Sequence, residues 1–173
     1  MEVGNFYKDL ERGKPAEQFF EKYCSKNNLN CIDVRNNPEY QNIDSDFIAD
    51  NKTWEVKQNL VIAEKGKPGE FFRIELYRDD KPKGWWWYCK ANKYFFANDT
   101  LTKAIIIDND DAFKNFINNA IENESHGYYD DFRYDHKRDN YYGKITTVIS
   151  MRVYTEFLED AGVNFKRVVT RRK

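Results

Sequence analysis

Two carboxylates and an amine lie close together in the chain: Asp46, then Glu55 after eight further residues, then Lys57. Between the carboxylates, Asp50 and Asn51 tolerate the left-handed backbone of a two-residue hairpin turn. With that turn, Asp46 faces Glu55 across the hairpin, and Lys57 projects to the same side as Glu55. Facing carboxylates repel each other unless a cation lies between them. The arrangement is what a divalent-metal site for phosphodiester hydrolysis needs.

The apolar residues of the same hairpin favour this register. Phe47 would pair with Trp54, and both could pack on a core together with Val56, while the three charged side chains project outward. A slip of one residue would bury the charges and expose the aromatic rings. An ordinary charged hairpin face, with Lys57 in a surface salt bridge, would carry the same residues. From the residues alone both interpretations stay open.

Length and charge set broad limits on the fold and the partners. A chain of 173 residues predicts one domain spanning residues 1–173, with a substantial core. The net charge of −1 neither favours nor excludes a nucleic-acid partner, so local clusters of cations must decide.

Several features predict a cytoplasmic protein with no membrane segment. No apolar run approaches the roughly 18 residues of a spanning helix, and the N-terminus lacks the apolar segment of a secretory signal. Cys24, Cys31 and Cys89 are odd in number and lack CxxC spacing, which is typical of reduced thiols. A zinc site is not expected, since only His126 and His136 could join these scattered cysteines.

The first predicted element is a helix over residues 14–26, with Pro15 in its first turn. Its apolar stripe has helical spacing and consists of Ala16, Phe19, Phe20, Tyr23 and Cys24. Glu17 lies at the edge of that stripe. It is either a first-turn carboxylate favoured by the helix dipole or a functional acid.

The rest of the chain alternates strand and helix patterns. Strands or extended segments are predicted at 31–35, 44–58, 70–77, 85–89, 93–97, 103–107 and 144–149. Helices are predicted after residues 108–111 and over 150–160. Residues 125–142 show no clean period and are expected to form an exposed loop or irregular insertion. This order predicts an α/β or α+β fold, with a mixed sheet flanked by helices.

The motif D-x(8)-ExK, formed by Asp46, Glu55 and Lys57, resembles the active-site core of the PD-(D/E)xK nucleases. This superfamily includes restriction endonucleases and Holliday junction resolvases. The resemblance extends over about residues 13–97, because an acidic helix precedes the motif and a lysine-led strand, 90–97, follows it.

The match departs from the family pattern just before the first acid. Residue 45 is Ser where the family name has Pro, and Asp44 is a rival for the role of Asp46. We prefer Asp46 because it leads directly into the apolar strand that begins at Phe47, and because the hairpin register places it opposite Glu55.

The resemblance implies a restriction-endonuclease-like mixed sheet and a metal-dependent deoxyribonuclease. In that family pattern Asp46, Glu55 and the main-chain carbonyl of Val56 bind Mg²⁺, for which Mn²⁺ can substitute, and Glu17 assists. The ion would activate a water and neutralise charge on the scissile phosphate. Lys57 would position that water or stabilise charge on the phosphoryl oxygens.

DNA binding requires cations near this face. The candidates are Lys90, Lys93, Arg133, Lys137 and Arg138, with the basic C-terminal segment in addition. The three consecutive tryptophans at 85–87 could stack on unpaired bases, although in a strand alternate rings would fill the core. A two-fold homodimer would suit double-strand cleavage. The alternative function is a non-catalytic nucleic-acid- or protein-binding module on the same fold, for example a phage-encoded interaction protein.

Overall fold

The computed structural model describes residues 4–62, 69–78, 84–124, 134–141 and 144–170 of the chain. Within these residues the helices are α1 (Gly4–Lys26), α2 (Pro38–Gln41), α3 (Asp111–Glu124) and α4 (Thr155–Asp160), with a 3₁₀ turn at Trp85–Trp87. The strands are β1 (Cys31–Asp33), β2 (Phe47–Ala49), β3 (Lys52–Leu60), β4 (Phe71–Arg78), β5 (Lys93–Asn98), β6 (Lys103–Asp108), β7 (Tyr134–Tyr141), β8 (Lys144–Tyr154) and β9 (Phe165–Val169).

The strands form two sheets. The larger sheet has six strands in the order β1-β2-β3-β5-β6-β9, and the smaller has three in the order β4-β8-β7. Strands β3 and β5 are parallel, whereas every other neighbouring pair is antiparallel. The expectation of a mixed sheet with helices is therefore confirmed.

The acidic hairpin has the predicted turn and register. Asp50 and Asn51 have φ angles of 53° and 56°, the left-handed backbone that a two-residue turn of this kind requires. Phe47 pairs with Trp54 in the β2–β3 ladder. Asp46 itself lies just before β2, at the point where β2 and β3 begin to separate.

Helix α1 covers one face of the larger sheet. The ring of Phe20 lies 5.1 Å from that of Phe47, 5.0 Å from Trp54 and 5.2 Å from Phe95, measured between centroids. Val56 belongs to the same apolar cluster. The hairpin residues predicted to face a core do so, and this cluster fixes β3 against α1.

The opposite face of the sheet is also covered, which the sequence interpretation did not expect. Phe72 of β4 stacks on Phe96 of β5 with 4.3 Å between ring centroids, and Trp85 lies 5.7 Å from Tyr94. Glu55 and Lys57 pair with neighbours on this side of the sheet. The prediction that the charged side of the hairpin projects outward is therefore wrong for Glu55, which is only 2% exposed.

The predicted first residues of two helices, α1 and α4, are wrong. Helix α1 begins at Gly4, so Pro15 lies inside it rather than in its first turn. A proline costs one helical hydrogen bond, and the buried faces of Ala16, Phe19 and Phe20 hold the following turns in place.

The segment predicted as a helix from residue 150 instead continues β8 to Tyr154, and only Thr155–Asp160 is helical. Met151 and Val153 are buried with an intermediate residue between them, which is a period of two.

The tryptophan segment forms a 3₁₀ turn rather than an extended strand. Trp85 and Trp86 are buried, whereas Trp87 is 47% exposed and its Nε1–H donates to the Leu76 carbonyl at 2.8 Å. Trp85 and Trp86 therefore fill the core, and base stacking by them is not compatible with this burial.

The prediction of a loop or irregular insertion over 125–142 is wrong in part. Residues 134–141 form β7, which pairs along its whole length with β8. Its residues are mostly polar, so this segment lacks the alternation of apolar and polar residues from which a strand is predicted. Residues 125–133 and 142 lie outside the described residues.

The central position of Phe20 gives a direct test of this packing. Phe20→Ala should lower the free energy of unfolding by about 3 to 5 kcal/mol, because a buried ring against three aromatic neighbours leaves a cavity. Urea denaturation followed by circular dichroism measures the change. Gln18→Ala, on the exposed side of the same helix, should change it by less than about 0.5 kcal/mol. Equal losses in both variants would contradict the packing.

Candidate metal centre

An acidic cavity of about 540 Å³ opens where α1, the start of β2, β3 and the end of β5 meet. It collects the predicted catalytic residues and several others. Its lining residues are Glu17, Asp44, Asp46, Glu55, Val56, Lys57, Gln58 and Asp99. All the predicted catalytic and metal-binding residues therefore lie at one cavity.

Asp44 and Glu55 bring two carboxylates close together in this cavity. Ligand atoms of Asp44, Glu55 and Cys89 lie within 4.8 Å of one another. Asp44 Oδ2 and Glu55 Oε2 are buried and have no hydrogen-bond partner in the described part of the chain. Buried carboxylate oxygens without a partner are costly in free energy. A bound cation would supply the missing partner.

Cys89 is a neighbour of this pair rather than a suitable ligand. Its Sγ donates to the main-chain oxygen of Asp44 at 3.4 Å. Burial, with the Glu55 charge adding to it, raises the pKa of the thiol to about 12, so the sulfur stays protonated at neutral pH. The available donors are then hard oxygens, which suit Mg²⁺ or Mn²⁺.

Asp46 is held differently from Asp44. Its Oδ2 accepts a hydrogen bond from the Val56 main-chain N–H at 2.9 Å, which fixes the main chain of β3 beside the cavity. Burial raises the pKa of Asp46, while Lys57 and the Val56 N–H act in the opposite direction. Asp46 thus has one oxygen engaged by the backbone, whereas the Oδ2 of Asp44 has no hydrogen-bond partner among the described residues.

Lys57 is the cation at the centre of the cavity. It forms an ion pair with Glu55, its Nζ lies 3.8 Å from Asp44 Oδ2, and the same atom lies 5.4 Å from the Trp85 ring centroid. Burial lowers its pKa, but the charges of Glu55, Asp44 and Asp46 outweigh burial, so the pKa is raised well above its ordinary value. Lys57 is therefore a permanent ammonium.

The pKa of Glu55 is also raised well above its ordinary value. Burial is the largest cause, Asp46 and Asp44 add to it, and Lys57 opposes it. The two shifts have different causes, because Lys57 is surrounded by carboxylates whereas Glu55 is mainly affected by its burial. The raised pKa of Glu55 means that burial and the neighbouring acids disfavour its charged form more than Lys57 favours it.

Glu17 reaches the cavity but already has a partner. It forms an ion pair with Arg35, whose guanidinium also pairs with Asp33. Helix α1 thereby joins the loop before α2, and Glu17 is less available for a cation than the acids of the hairpin.

The predicted DNA-binding lysines do not line the cavity. Lys93 forms an ion pair with Asp108 and lies 5.4 Å from the Trp54 ring, on the α1 face of the sheet. Lys90 is exposed. Arg133 lies outside the described residues; Lys137 and Arg138 are on β7, and their side chains lie outside the described part.

Sequence reasoning did not single out Gln58, Cys89 or Asp99 at this site. A signal existed for Asp99, because it follows a predicted strand, and carboxyl ends of parallel strands are common positions for ligand-binding residues. Gln58 follows the motif directly, and its Oε1 is another buried oxygen with no partner among the described residues. Nothing local in the sequence brings Cys89 to Asp44.

Comparison with protein-family models, curated proteins and solved structures finds no match to this chain. Within the described residues, no helix is both long and apolar enough to cross a membrane.

The raised pKa of Glu55 predicts how pH affects the stability of the metal-free protein. A carboxyl that binds its proton more tightly when folded costs stability as the pH rises from its ordinary value of 4.5 through the folded pKa. Relative to the unmodified protein, the Glu55→Gln variant in EDTA should therefore gain on the order of 1 kcal/mol of unfolding free energy between pH 4.5 and pH 8, whatever the difference at pH 4.5. Urea denaturation across this pH range measures the difference.

A control separates this effect from a general effect of charge. Glu21→Gln removes a carboxylate from the exposed side of α1 and should not reproduce the gain. A loss of stability in Glu55→Gln that grows with pH would contradict the charge balance described for the cavity.

Proposed function

We propose that this protein is a Mg²⁺-dependent deoxyribonuclease that hydrolyses DNA phosphodiester bonds at the acidic cavity. The observation that carries the proposal is a pair of buried carboxylate oxygens, Asp44 Oδ2 and Glu55 Oε2, that accept no hydrogen bond from the described residues and lie beside the ammonium of Lys57. The resemblance of Asp46, Glu55 and Lys57 to the PD-(D/E)xK motif supports the same chemistry.

Each group of the cavity would have a distinct role. Asp44, Asp46, Glu55 and the Val56 carbonyl would hold the ion, and the Val56 N–H fixes the Asp46 carboxylate. Mg²⁺ bound there would lower the pKa of a water and neutralise charge on the phosphate. Lys57 stays protonated and can donate hydrogen bonds to that water or to the phosphoryl oxygens.

The charge of the cavity requires a cation before a substrate. Asp44, Asp46 and Glu55 surround the single ammonium of Lys57, so carboxylates would oppose the approach of a phosphodiester to the metal-free site. DNA binding at the cavity is therefore expected to depend on the divalent ion. A cytoplasmic location and a homodimer with two such sites belong to the same proposal.

Cleavage assays test the proposal. Supercoiled, linear and branched DNA should be cleaved with Mg²⁺ or Mn²⁺ but not in EDTA. Asp46→Ala, Glu55→Gln and Lys57→Ala should each lower the rate by at least about a hundredfold, because each removes a ligand or a charge-stabilising group. Asp160→Ala, at an exposed position of α4, is the matched control. Gel electrophoresis over time measures the rates.

Two other results would assign a different function. Binding of DNA without cleavage under all metal conditions would favour a non-catalytic nucleic-acid-binding module. Absence of both binding and cleavage would favour an interaction protein with a protein partner.

The ligand roles of Asp44 and Asp46 can be separated by metal binding alone. Asp44→Asn should weaken Mn²⁺ binding at least as strongly as Asp46→Asn, because Asp44 Oδ2 accepts no hydrogen bond from the described residues whereas Asp46 Oδ2 accepts one from the Val56 N–H. We expect a loss of tenfold or more, about 1.4 kcal/mol. Isothermal titration with Mn²⁺ measures the affinities, and Asp160→Asn serves as the control. Unchanged affinity in Asp44→Asn would exclude it as a ligand.

A further inference from the structure

A second groove, of about 450 Å³, runs between α1 and the edge strand β9. We call it the α1–β9 groove. One wall is the segment of α1 and the following turn from Pro15 to Asn27, and the other is formed by 166–170 with Leu101. In the described part of the chain β9 pairs only with β6, so its outer edge is open.

The α1–β9 groove is basic. Lys22, Lys26 and Lys166 line it, and no lining residue is acidic. All three lysines are exposed, and none forms an ion pair with a carboxylate within the described residues. The Nζ of Lys166 lies 5.7 Å from the centroid of the Tyr23 ring. A polyanion is the partner that such a set of free cations fits.

Arg167 is a useful contrast on the same strand. It also lines the groove, but its guanidinium bonds to Glu70 at 3.3 Å and to Glu159 at 2.8 Å. Its charge is therefore balanced by the protein, whereas the charges of the three lysines are not.

Aromatic side chains form part of the groove wall. Phe19 and Tyr23 line it, and Tyr23 is held by Phe20 and Phe95, with centroid distances of 6.2 and 5.6 Å. A fixed ring beside cations is the combination that binds unpaired bases in single-strand binding proteins. The α1 wall from Pro15 to Lys26 is roughly 16 Å long at about 1.5 Å per residue. A groove of this length could accommodate a few nucleotides of a single strand at roughly 3 to 6 Å per nucleotide.

One end of the α1–β9 groove adjoins the acidic cavity. Glu17 lines the cavity and Gln18 lines the groove, on consecutive positions of α1. In the β5–β6 turn, Asp99 lines the cavity and Leu101 lines the groove. A strand lying in the groove would therefore end beside the candidate metal centre.

We propose that the α1–β9 groove binds a single strand of DNA and delivers it to the acidic cavity. Delivery rests on the proposed nuclease function, whereas binding does not. The substrate class is then DNA with a single-stranded tail or branch. Lys22, Lys26 and Lys166 contact phosphates, and Tyr23 contacts a base.

Fluorescence anisotropy in EDTA tests binding without any metal or cleavage. The probes are a labelled single-stranded oligonucleotide and the duplex of the same sequence. Lys22→Gln/Lys26→Gln/Lys166→Gln should weaken single-strand binding at least tenfold. The slope of log K against log salt should become shallower by about 2, since each phosphate contact contributes about 0.7. Tyr23→Leu should weaken binding with no change in slope.

A matched control removes lysines elsewhere on the surface. Lys52→Gln/Lys114→Gln changes exposed lysines outside the groove and the cavity and should leave single-strand affinity within about twofold, well below the tenfold loss expected of the triple variant. The lysine variants should keep the melting temperature of the unmodified protein, because the substituted side chains are exposed.

Three results would overturn the groove proposal: unchanged binding in the triple variant, an equal loss in the control, or tighter binding of duplex than of single strand. These outcomes are independent of the nuclease proposal. Cleavage with an unaffected triple variant would retain the metal centre and exclude the groove. Groove-dependent binding without cleavage would retain the groove and exclude the nuclease.

Discussion

The ion pair between Lys57 and Glu55 is the interaction on which the candidate site depends. Glu55 lies between the two layers of the fold, and a buried carboxylate without a counter-charge would be very costly. Lys57 supplies that charge and simultaneously lies near Asp44 and over the Trp85 ring. One ammonium stabilises the pair but leaves the remaining acids of the cavity under-compensated. The site is therefore folded around a cation of the protein, and a second cation from solution would offset the acids that Lys57 does not.

The two apolar cores explain why this charge cluster can persist. On one side of β3, Trp54 and Val56 pack under α1; on the other, Tyr94 and Phe96 of the neighbouring strand pack under β4 and the 3₁₀ turn. Because side chains alternate along a strand, anchoring Trp54 and Val56 forces Glu55 and Lys57 to the opposite side. The apolar packing thus determines where the charges lie. It also removes water from Glu55, which is the main reason that its pKa is raised.

The hairpin and the chemistry of its residues were predictable from the sequence because the signals are local. A turn of Asp50 and Asn51 between alternating strands sets the register, and the register alone brings Asp46 towards β3. The covering of Glu55 was not predictable, since β4 and Trp85 reach it from distant parts of the chain. The position of Asp44 beside Glu55 could not be predicted for a related reason. Its left-handed backbone, with φ of 52°, and its contact with Cys89 exist only in the folded chain. Strand β7 was missed because a polar strand carries little apolar periodicity.

Helix α1 connects the acidic cavity and the basic groove, and this arrangement constrains how a polyanion could approach. Consecutive residues Glu17 and Gln18 line the two surfaces. Arg35 pairs with Glu17 there and reduces the negative charge that an approaching phosphate would meet. Under the proposed function, a strand bound by Lys22 and Lys26 would meet carboxylates that repel it until a metal ion binds. The lysines would attract phosphates at long range, and the carboxylates would repel them at short range. Phosphate entry at the cavity would therefore require the metal ion, whereas binding along the groove would not.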